Sequence, residues 1–140
     1  MPQFSVSHSE DIAVVALGYS PLGIDIERIH EIPEMLAIAK RYFLDSECDQ
    51  LFRLPRARRV RTFFDTWTAK EACLKATGEG LAGLPKSGTA VADSSDTVLT
   101  EKKESGWKIY RLARDGYLVA LATSEQVSSP ALHEFDPKLL

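Results

Sequence analysis

Residues 63–78, FFDTWTAKEACLKATG, lie at the centre of the stretch that decides the fold. Apolar side chains recur there and just upstream at helical spacing, at Val60, Phe63, Phe64, Trp67 and Leu74. Gly78 is placed to stop a helix at its C-terminal end. The sequence therefore predicts one long helix from Pro55 to about Thr77.

Charged residues interrupt this otherwise apolar segment. Trp67, Glu71 and Lys75 are four residues apart in turn and share one helix face, while Lys70 lies on a neighbouring face. One interpretation is a weak surface ion pair between Glu71 and Lys75, with Trp67 in the core. The apolar neighbours favour the other interpretation, in which the charges are partly desolvated and functional.

Two shorter helices are predicted before the long one. Apolar residues recur at helical spacing between Pro33 and Tyr42, and Pro33 suits a first helical turn. The second helix begins near Asp45 or Ser46, either of which can cap the free amides. It ends before Pro55, because proline disfavours helical geometry in the preceding residue.

Short β-branched runs bounded by turn residues predict the strands. Residues 11–18 and 22–27 have the pattern of a β-hairpin or of two neighbouring strands. After the long helix, a Gly- and Pro-rich loop is expected at 78–88, strands at 89–93, 97–100, 106–113 and 116–123, and a hairpin turn at 114–116. The predicted fold class is α+β, with an antiparallel sheet packed on one long helix and shorter helices.

Length and charge restrict the organisation and the partners of the chain. Its 140 residues fit one domain, predicted over residues 1–127, followed by a tail at 128–140 that lacks periodicity. A net charge of -3 excludes the strongly basic signature of a general nucleic-acid binder. The first apolar run follows no basic region and is too short to span a bilayer. We therefore expect a soluble, cytoplasmic protein without nucleic-acid or membrane partners.

The two cysteines, Cys48 and Cys73, lie far apart in the sequence, and neither has a His or Cys partner at metal-ligand spacing. This pattern indicates neither a zinc site nor a disulfide framework. We expect both cysteines to behave as small apolar residues in a reducing compartment.

Two carboxylates mark the second predicted strand. Asp25 and Glu27 are two positions apart, so both point to the same face of the strand. Such a pair can bind a divalent cation through its oxygens. The outer face of a half-exposed strand also carries acids routinely, and for an isolated pair that is the more common explanation.

Two further segments have both a functional and a purely structural interpretation. His8, flanked by Ser7 and Ser9, suits a phosphate or sugar contact, but a loop histidine satisfied by the protein is an equal alternative. Residues 53–61, RLPRARRVR, hold five arginines and no acid. A solvated helix face is the usual explanation, and an acidic protein partner or a phosphate is the functional one.

Taken in order, FSVSHS, LGIDIE and FFDTWTAKEACLKATGEGL resemble the 4'-phosphopantetheinyl transferase superfamily over residues 4–81. The pattern of that family is Ser-His, then Gly-x-Asp-x-Glu on a strand, then Trp-x-x-Lys-Glu-x-x-x-Lys on a helix. The resemblance implies an enzyme that transfers the phosphopantetheine arm of coenzyme A to a serine of an apo acyl, peptidyl or aryl carrier protein. The other product is adenosine 3',5'-bisphosphate.

The resemblance also implies a role for each matched acid. Asp25, Glu27 and Glu71 would hold Mg2+ against the coenzyme A pyrophosphate, with Mn2+ as an alternative. Glu71 would in addition serve the deprotonation of the carrier serine, directly or through a metal-bound water. We favour the water route, because a metal-bound carboxylate has a lowered proton affinity.

The matched basic and hydroxyl residues are implied to contact phosphate. Lys70 and Lys75 would neutralise charge on the phosphates during transfer. Ser7 and His8 would contact the phosphates of the adenosine moiety. Trp67 would pack near the site and orient the helix.

The motifs are similar to those of the long, surfactin-synthetase-activating type, of which this chain resembles the second half. Long-type enzymes place the site between two similar halves, and short-type enzymes place it between subunits of a homotrimer. We therefore expect this chain to complete its cleft by self-association or by pairing with another chain. The alternative to an enzyme is a non-catalytic coenzyme A-binding half-domain that acts as a binding or regulatory subunit.

Overall fold

The computed structural model describes residues 1–78, 107–124 and 130–134. Its elements in chain order are β1 (Gln3–Ser9), β2 (Ile12–Gly18), β3 (Leu22–Arg28), α1 (Met35–Tyr42), α2 (Asp45–Arg53), α3 (Arg56–Thr77), β4 (Trp107–Arg114) and β5 (Tyr117–Ser124). The expected α+β class with antiparallel sheets is confirmed. The strands expected at 89–93 and 97–100 lie outside the described residues, as do nearly all of the loop and most of the tail.

The three helices follow the predicted boundaries closely. Pro55 precedes α3, and Gly78 ends it with a φ of 76° while its N–H donates to the carbonyl of Leu74 at 2.8 Å. The predicted cap of α2 by Asp45 or Ser46 is wrong. Leu44 is the N-cap residue, and its N–H donates to Glu47 Oε1 at 2.9 Å.

The larger sheet has the strand order β3-β5-β4, and all of its pairs are antiparallel. Asp115 and Gly116 connect β4 to β5 with φ values of 50° and 81°, the geometry that a two-residue hairpin of primed type requires. The predicted hairpin turn at 114–116 is therefore confirmed. On the face of this sheet that α3 covers, Ala120 and Ala122 of β5 pack with Ala69 and Ala72 of α3.

The first strand pairing differs from the expected one. β2 pairs with β1 and not with β3, so the hairpin lies over residues 3–18. The sequence did not predict β1 because the strand points its apolar side chains outwards and its hydroxyls inwards. Phe4 and Val6 are exposed, whereas Ser7 is buried. A strand that points hydroxyls inwards lacks the usual apolar signal of a core face.

Serine hydroxyls of β1 connect this hairpin to the free edge of β3. They accept backbone N–H groups of β3, Ser5 from Ile24 at 3.0 Å, Ser7 from Ile26 at 3.2 Å and Ser9 from Arg28 at 3.1 Å. Side-chain oxygens thus take the place of the backbone acceptors that another strand would supply.

Helix α3 packs directly on the backbone of β3. A Cβ atom built on Gly23 would lie 2.1 Å from the carbonyl oxygen of Ala72 and 2.5 Å from the nitrogen of Ala76. Only a residue without a side chain permits this approach. It brings the C-terminal half of α3 against the strand that carries Asp25 and Glu27.

Cys48 and Cys73 are both free and buried. Within the described residues, no helix combines the length and the apolarity needed to cross a bilayer. The described part of the tail contacts the body through an ion pair between Arg114 and Glu134.

Candidate active site

Asp25 lies at the centre of the site, on β3, and is only 4% exposed. Its Oδ1 accepts hydrogen bonds from Ser7 Oγ and Lys75 Nζ, both at 3.2 Å. Its Oδ2 is buried and has no hydrogen-bond partner among the residues that the structure describes. Burial raises the pKa of this carboxyl, and the effect of burial outweighs the opposing effect of Lys75.

Glu27 and Glu71 are half-buried and interact electrostatically with Asp25. Burial, followed by the charges of Asp25 and Glu71, raises the pKa of Glu27 to about 7. Burial and then Asp25 raise the pKa of Glu71. Three carboxylates that disfavour each other's ionised form make a site that gains stability from an added positive charge.

Lys75 joins α3 to β3 within this cluster. Its Nζ donates to the carbonyl of Ile24 at 3.0 Å as well as to Asp25. The side chain is one-third exposed, so the ammonium lies at the boundary between the cluster and solvent. Lys75 alone does not balance the charge of three ionised carboxylates.

The three acids fit a divalent cation by donor chemistry. In the described part of the chain, no three acidic, His or Cys side chains already converge on one metal position. Carboxylates repel one another when no cation is present. The unpartnered Oδ2 of Asp25 and the raised pKa values of all three acids match what a hard cation with oxygen ligands would relieve.

The Ser-His pair is split between the two faces of β1. Ser7 is buried, and its hydroxyl donates to Asp25 while it accepts from the N–H of Ile26. His8 is exposed on the opposite face of the strand. The structure therefore joins Ser7 to the carboxylate cluster and leaves His8 at the surface.

Lys70 is not part of the carboxylate cluster. It is completely buried, and its Nζ lies 2.8 Å from Glu47 Oε1 and over the ring of Phe43. Glu47 belongs to the first turn of α2. The motif places Lys70 beside Glu71 in sequence, but the helix turns the two side chains in different directions.

Trp67 packs in the main core rather than beside the carboxylates. Its ring is stacked with that of Phe63 and meets Tyr42 edge-on. These contacts fix the middle of α3 against α1. Trp67 thus orients the helix and takes no part in the carboxylate cluster.

The arginine run separates into structural and exposed members. Arg59 donates from Nε to the carbonyl of Leu54 at 2.9 Å and from Nη2 to that of Phe52 at 3.0 Å. These bonds give partners to backbone carbonyls at the C-terminal end of α2. Arg53, Arg56 and Arg58 are exposed. The run therefore retains a basic surface at the start of α3.

Sequence reasoning missed two residues that shape the site. Gly23 was visible in the Gly-x-Asp-x-Glu motif, but its role depends on the distance between a strand and a helix. Glu47 was visible only as an acid in the first turn of a helix. Its pairing with Lys70 spans 23 positions of sequence, so no local spacing could have indicated it.

Comparison with known proteins assigns the chain to a family. The 4'-phosphopantetheinyl transferase superfamily matches residues 21–122. The 4'-phosphopantetheinyl transferase HetI of Nostoc sp. is 36% identical over 118 residues, which cover 84% of this chain and 49% of HetI. The slr0495 protein of Synechocystis sp. is 33% identical over 150 residues, 97% of this chain and 61% of that protein.

A third relative matches a shorter part of the chain. The 4'-phosphopantetheinyl transferase psf-1 of Bacillus pumilus is 44% identical over 79 residues, 56% of this chain and 33% of psf-1. The chain thus spans about half the length of HetI and a smaller or slightly larger share of the others. By the extent of the superfamily match, which includes the Gly-x-Asp-x-Glu and Trp-x-x-Lys-Glu-x-x-x-Lys motifs, this chain belongs to the 4'-phosphopantetheinyl transferase superfamily.

Proposed function

We propose that this protein transfers the 4'-phosphopantetheine arm of coenzyme A to a serine of an apo carrier protein in the cytoplasm and releases adenosine 3',5'-bisphosphate. The observation that carries the proposal is the cluster of Asp25, Glu27 and Glu71 beside Lys75, in a chain of this superfamily. Phosphoryl transfer depends mainly on positioning and on stabilising charge at phosphoryl oxygens. A cation held by these carboxylates, next to an ammonium group, would suit that task.

Asp25, Glu27 and Glu71 are the residues that would hold Mg2+, or Mn2+, at this site. When bound, the cation neutralises charge on the pyrophosphate of coenzyme A. Ser7 orients Asp25 through its hydroxyl and leaves Oδ2 available. Lys75 adds positive charge at the solvent side of the cluster, where phosphate oxygens can reach it.

Glu71 is the group that serves the deprotonation of the carrier serine. As the proton leaves, the serine oxygen bonds to the β-phosphorus, and the bond from that phosphorus to the bridging oxygen breaks. The electron pair stays on adenosine 3',5'-bisphosphate. Transfer of the proton through a water is favoured over direct transfer, because a carboxylate that also binds a cation has a lower proton affinity.

Two surfaces are proposed to contact the substrates. His8, exposed on β1, is accessible to the phosphates of the adenosine moiety. Arg53, Arg56 and Arg58 form a basic surface that suits an acidic carrier protein. These three exposed arginines are proposed to dock the carrier protein, whereas Arg59 has a structural role.

A second copy of this chain is proposed to complete the cleft. The outer face of the β1-β2 hairpin exposes neighbouring apolar side chains, with Phe4 72% and Leu17 77% exposed, and Phe4 is paired with Leu17 across the strands. Exposed apolar patches of this kind mark interaction sites.

The test is to incubate the purified protein with coenzyme A, Mg2+ and several apo carrier proteins and to measure the intact mass of each carrier. We expect a gain equal to one phosphopantetheine on at least one carrier. No gain on any carrier, together with measurable binding of coenzyme A, would favour the alternative. That alternative is a non-catalytic coenzyme A-binding half-domain that acts as a binding or regulatory subunit.

A further inference from the structure

We infer that the buried ion pair between Glu47 and Lys70 positions the active-site face of α3, so that Lys70 acts through Glu71 and Lys75 rather than on phosphate. The active-site roles of Glu71 and Lys75 rest on the proposed function. The geometry of the pair does not. Lys70 is accordingly a positioning residue, whereas the sequence motif alone suggests a phosphate ligand.

The surroundings of Lys70 are closed to a substrate. Its side chain is 0% exposed, its Nζ lies 2.8 Å from Glu47 Oε1, and the ring of Phe43 lies 5.7 Å from the same nitrogen. A phosphate would have to displace both the carboxylate and the aromatic ring to reach it. A buried ammonium of this kind requires its partner, since an unpaired charge in the interior is strongly unfavourable.

Glu47 is itself held in place. Its Oε1 also accepts the N–H of Leu44 at 2.9 Å, so the carboxylate belongs to the capping arrangement at the start of α2. Its side chain is 10% exposed. It also contributes to the electrostatic surroundings of Arg111 on β4. The ion pair therefore ties α3 to a fixed point on α2.

Because of where Lys70 lies in α3, the ion pair restricts rotation of the helix about its own axis. Successive residues are about 100° apart around a helix, so Lys70 faces α2 while Glu71 faces the carboxylate cluster. A rotation of about 20° moves an atom roughly 5 Å from the axis by about 1.7 Å. A misplacement of about 1 Å at a reacting group can lower a rate by about a hundredfold.

Gly23 supplies the complementary constraint. Its contact with Ala72 and Ala76 fixes the distance between α3 and β3. A helix held at one distance from a sheet can still roll on it, because a glycine offers no side chain to interlock. The Glu47–Lys70 pair opposes that roll from the other side of the helix.

The test compares Lys70→Met and Glu47→Gln with Ile38→Ala, which loses packing on the main core from α1 and keeps both members of the pair. Each protein is titrated with Mn2+, and binding is followed by electron paramagnetic resonance at a temperature where all are folded. We expect Lys70→Met to weaken Mn2+ binding about tenfold or more, as loss of a supporting contact does at metal sites. Ile38→Ala should bind like the wild type.

The double variant Glu47→Gln/Lys70→Met shows whether the two residues affect Mn2+ binding as one ion pair or independently of each other. We expect it to bind Mn2+ about as well as Lys70→Met alone, because the two side chains act as one unit. Additive losses in the double variant would overturn the inference. Equal losses in Lys70→Met and Ile38→Ala would also overturn it, since they would indicate a general effect of stability.

Crystal structures of Lys70→Met and of the wild type provide a readout that needs neither metal nor substrate. We expect the variant to lose the contact of Lys75 Nζ with Asp25 Oδ1, and an unchanged contact would overturn the inference. The mass assay on the wild type distinguishes the two proposals. Absence of transfer would count against the proposed function alone, while transfer at the normal rate by Lys70→Met would count against the positioning role.

Discussion

Glu71 is the residue on which the proposed chemistry depends most directly, because the proposal gives it a role towards both the cation and the carrier serine. Glu71→Gln keeps the size of the side chain and removes its charge. We expect this variant to retain the fold and to lose transfer of phosphopantetheine, with a rate at least about a hundredfold lower. The intact mass of the carrier after timed incubation with coenzyme A and Mg2+ measures the effect.

Glu31→Gln is the matched control for that experiment, since Glu31 is exposed and lies outside the carboxylate cluster. It should transfer at the wild-type rate. Near-normal transfer by Glu71→Gln would show that the assignment of the metal-binding acids is wrong.

The raised pKa of Glu27 should make the free energy of unfolding of the metal-free protein depend on pH. Its pKa is raised from 4.5 to about 7, so the unfolded chain ionises this carboxyl at lower pH than the folded one. The free energy of unfolding therefore falls as the pH rises from 4.5 through about 7. Glu27→Gln should unfold at a higher temperature than the wild type at about pH 8 and at a similar temperature at about pH 5.

Thermal unfolding followed by circular dichroism in the presence of a chelator measures this difference. Addition of Mg2+ at the higher pH should stabilise the wild type and have little effect on Glu27→Gln, because the cation binds the folded state. An equal difference between the two proteins at both pH values would contradict the predicted titration.

Sequence spacing predicted the direction of some charged side chains and not of others. Strand and helix periods place Asp25 with Glu27, and Glu71 with Lys75, on shared faces, and the family resemblance alone joined the two pairs. In the structure, the three acids interact with one another and Lys75 contacts Asp25. Lys70 has the same place in the motif, but it points into the interior. Its direction depends on a partner in α2 that the spacing does not contain.

At the scale of the elements, the contact of α3 with β3 is the main determinant of the site. Gly23→Ala would bring a Cβ within 2.1 Å of the helix backbone at Ala72. We expect α3 to be displaced and the free energy of unfolding to fall by about 1–3 kcal/mol. Urea denaturation measures the change.

Gly18→Ala serves as the control for Gly23→Ala, because the nearest described atom to its new Cβ is the flexible end of Leu22, at 3.0 Å. It should cost less than about 1 kcal/mol. Equal effects of the two substitutions would indicate a general response of the strands to alanine rather than a helix contact.

The serine contacts of β1 give a second prediction for the elements. Ser7→Ala removes the acceptor of the buried Ile26 N–H and the donor to Asp25. We expect a loss of about 1–3 kcal/mol in the free energy of unfolding, because a buried N–H is left without a partner. Ser9→Ala should cost less, since the N–H of Arg28 is exposed and water can replace the hydroxyl. Urea denaturation of both variants tests the difference.

The elements were predicted unequally for a physical reason. Helices α1, α2 and α3 and the β4-β5 hairpin follow local rules of periodicity, proline position and turn chemistry. Those rules did not predict β1, because its inward face carries hydroxyl groups that accept hydrogen bonds from the edge of β3. The pairing of β2 with β1 followed from the existence of that strand, and local sequence did not reveal it.

At the scale of the whole molecule, the proposed second copy makes a prediction about association. Sedimentation velocity of the wild type should detect an oligomer. Leu17→Glu places a charge on the exposed apolar face of the hairpin. We expect it to sediment as a monomer and to lose transfer activity, because a buried unpaired charge opposes association.

Leu132→Glu is the control, since Leu132 is another exposed apolar residue, 67% exposed, and lies in the tail. It should leave both association and transfer unchanged. A strictly monomeric wild type with full activity on a carrier protein would overturn the proposed completion of the cleft.

The sequence by itself determined the helices, the family and the charged residues of the cluster, because these depend on periods of two and 3.6 residues and on motifs within short segments. Only the tertiary structure decided where those charges point. Burial gives Asp25 an unpartnered oxygen, Gly23 brings α3 onto β3, and Lys70 is directed to Glu47. Each of these depends on contacts between residues that are distant in sequence, and such contacts form only when the chain has folded.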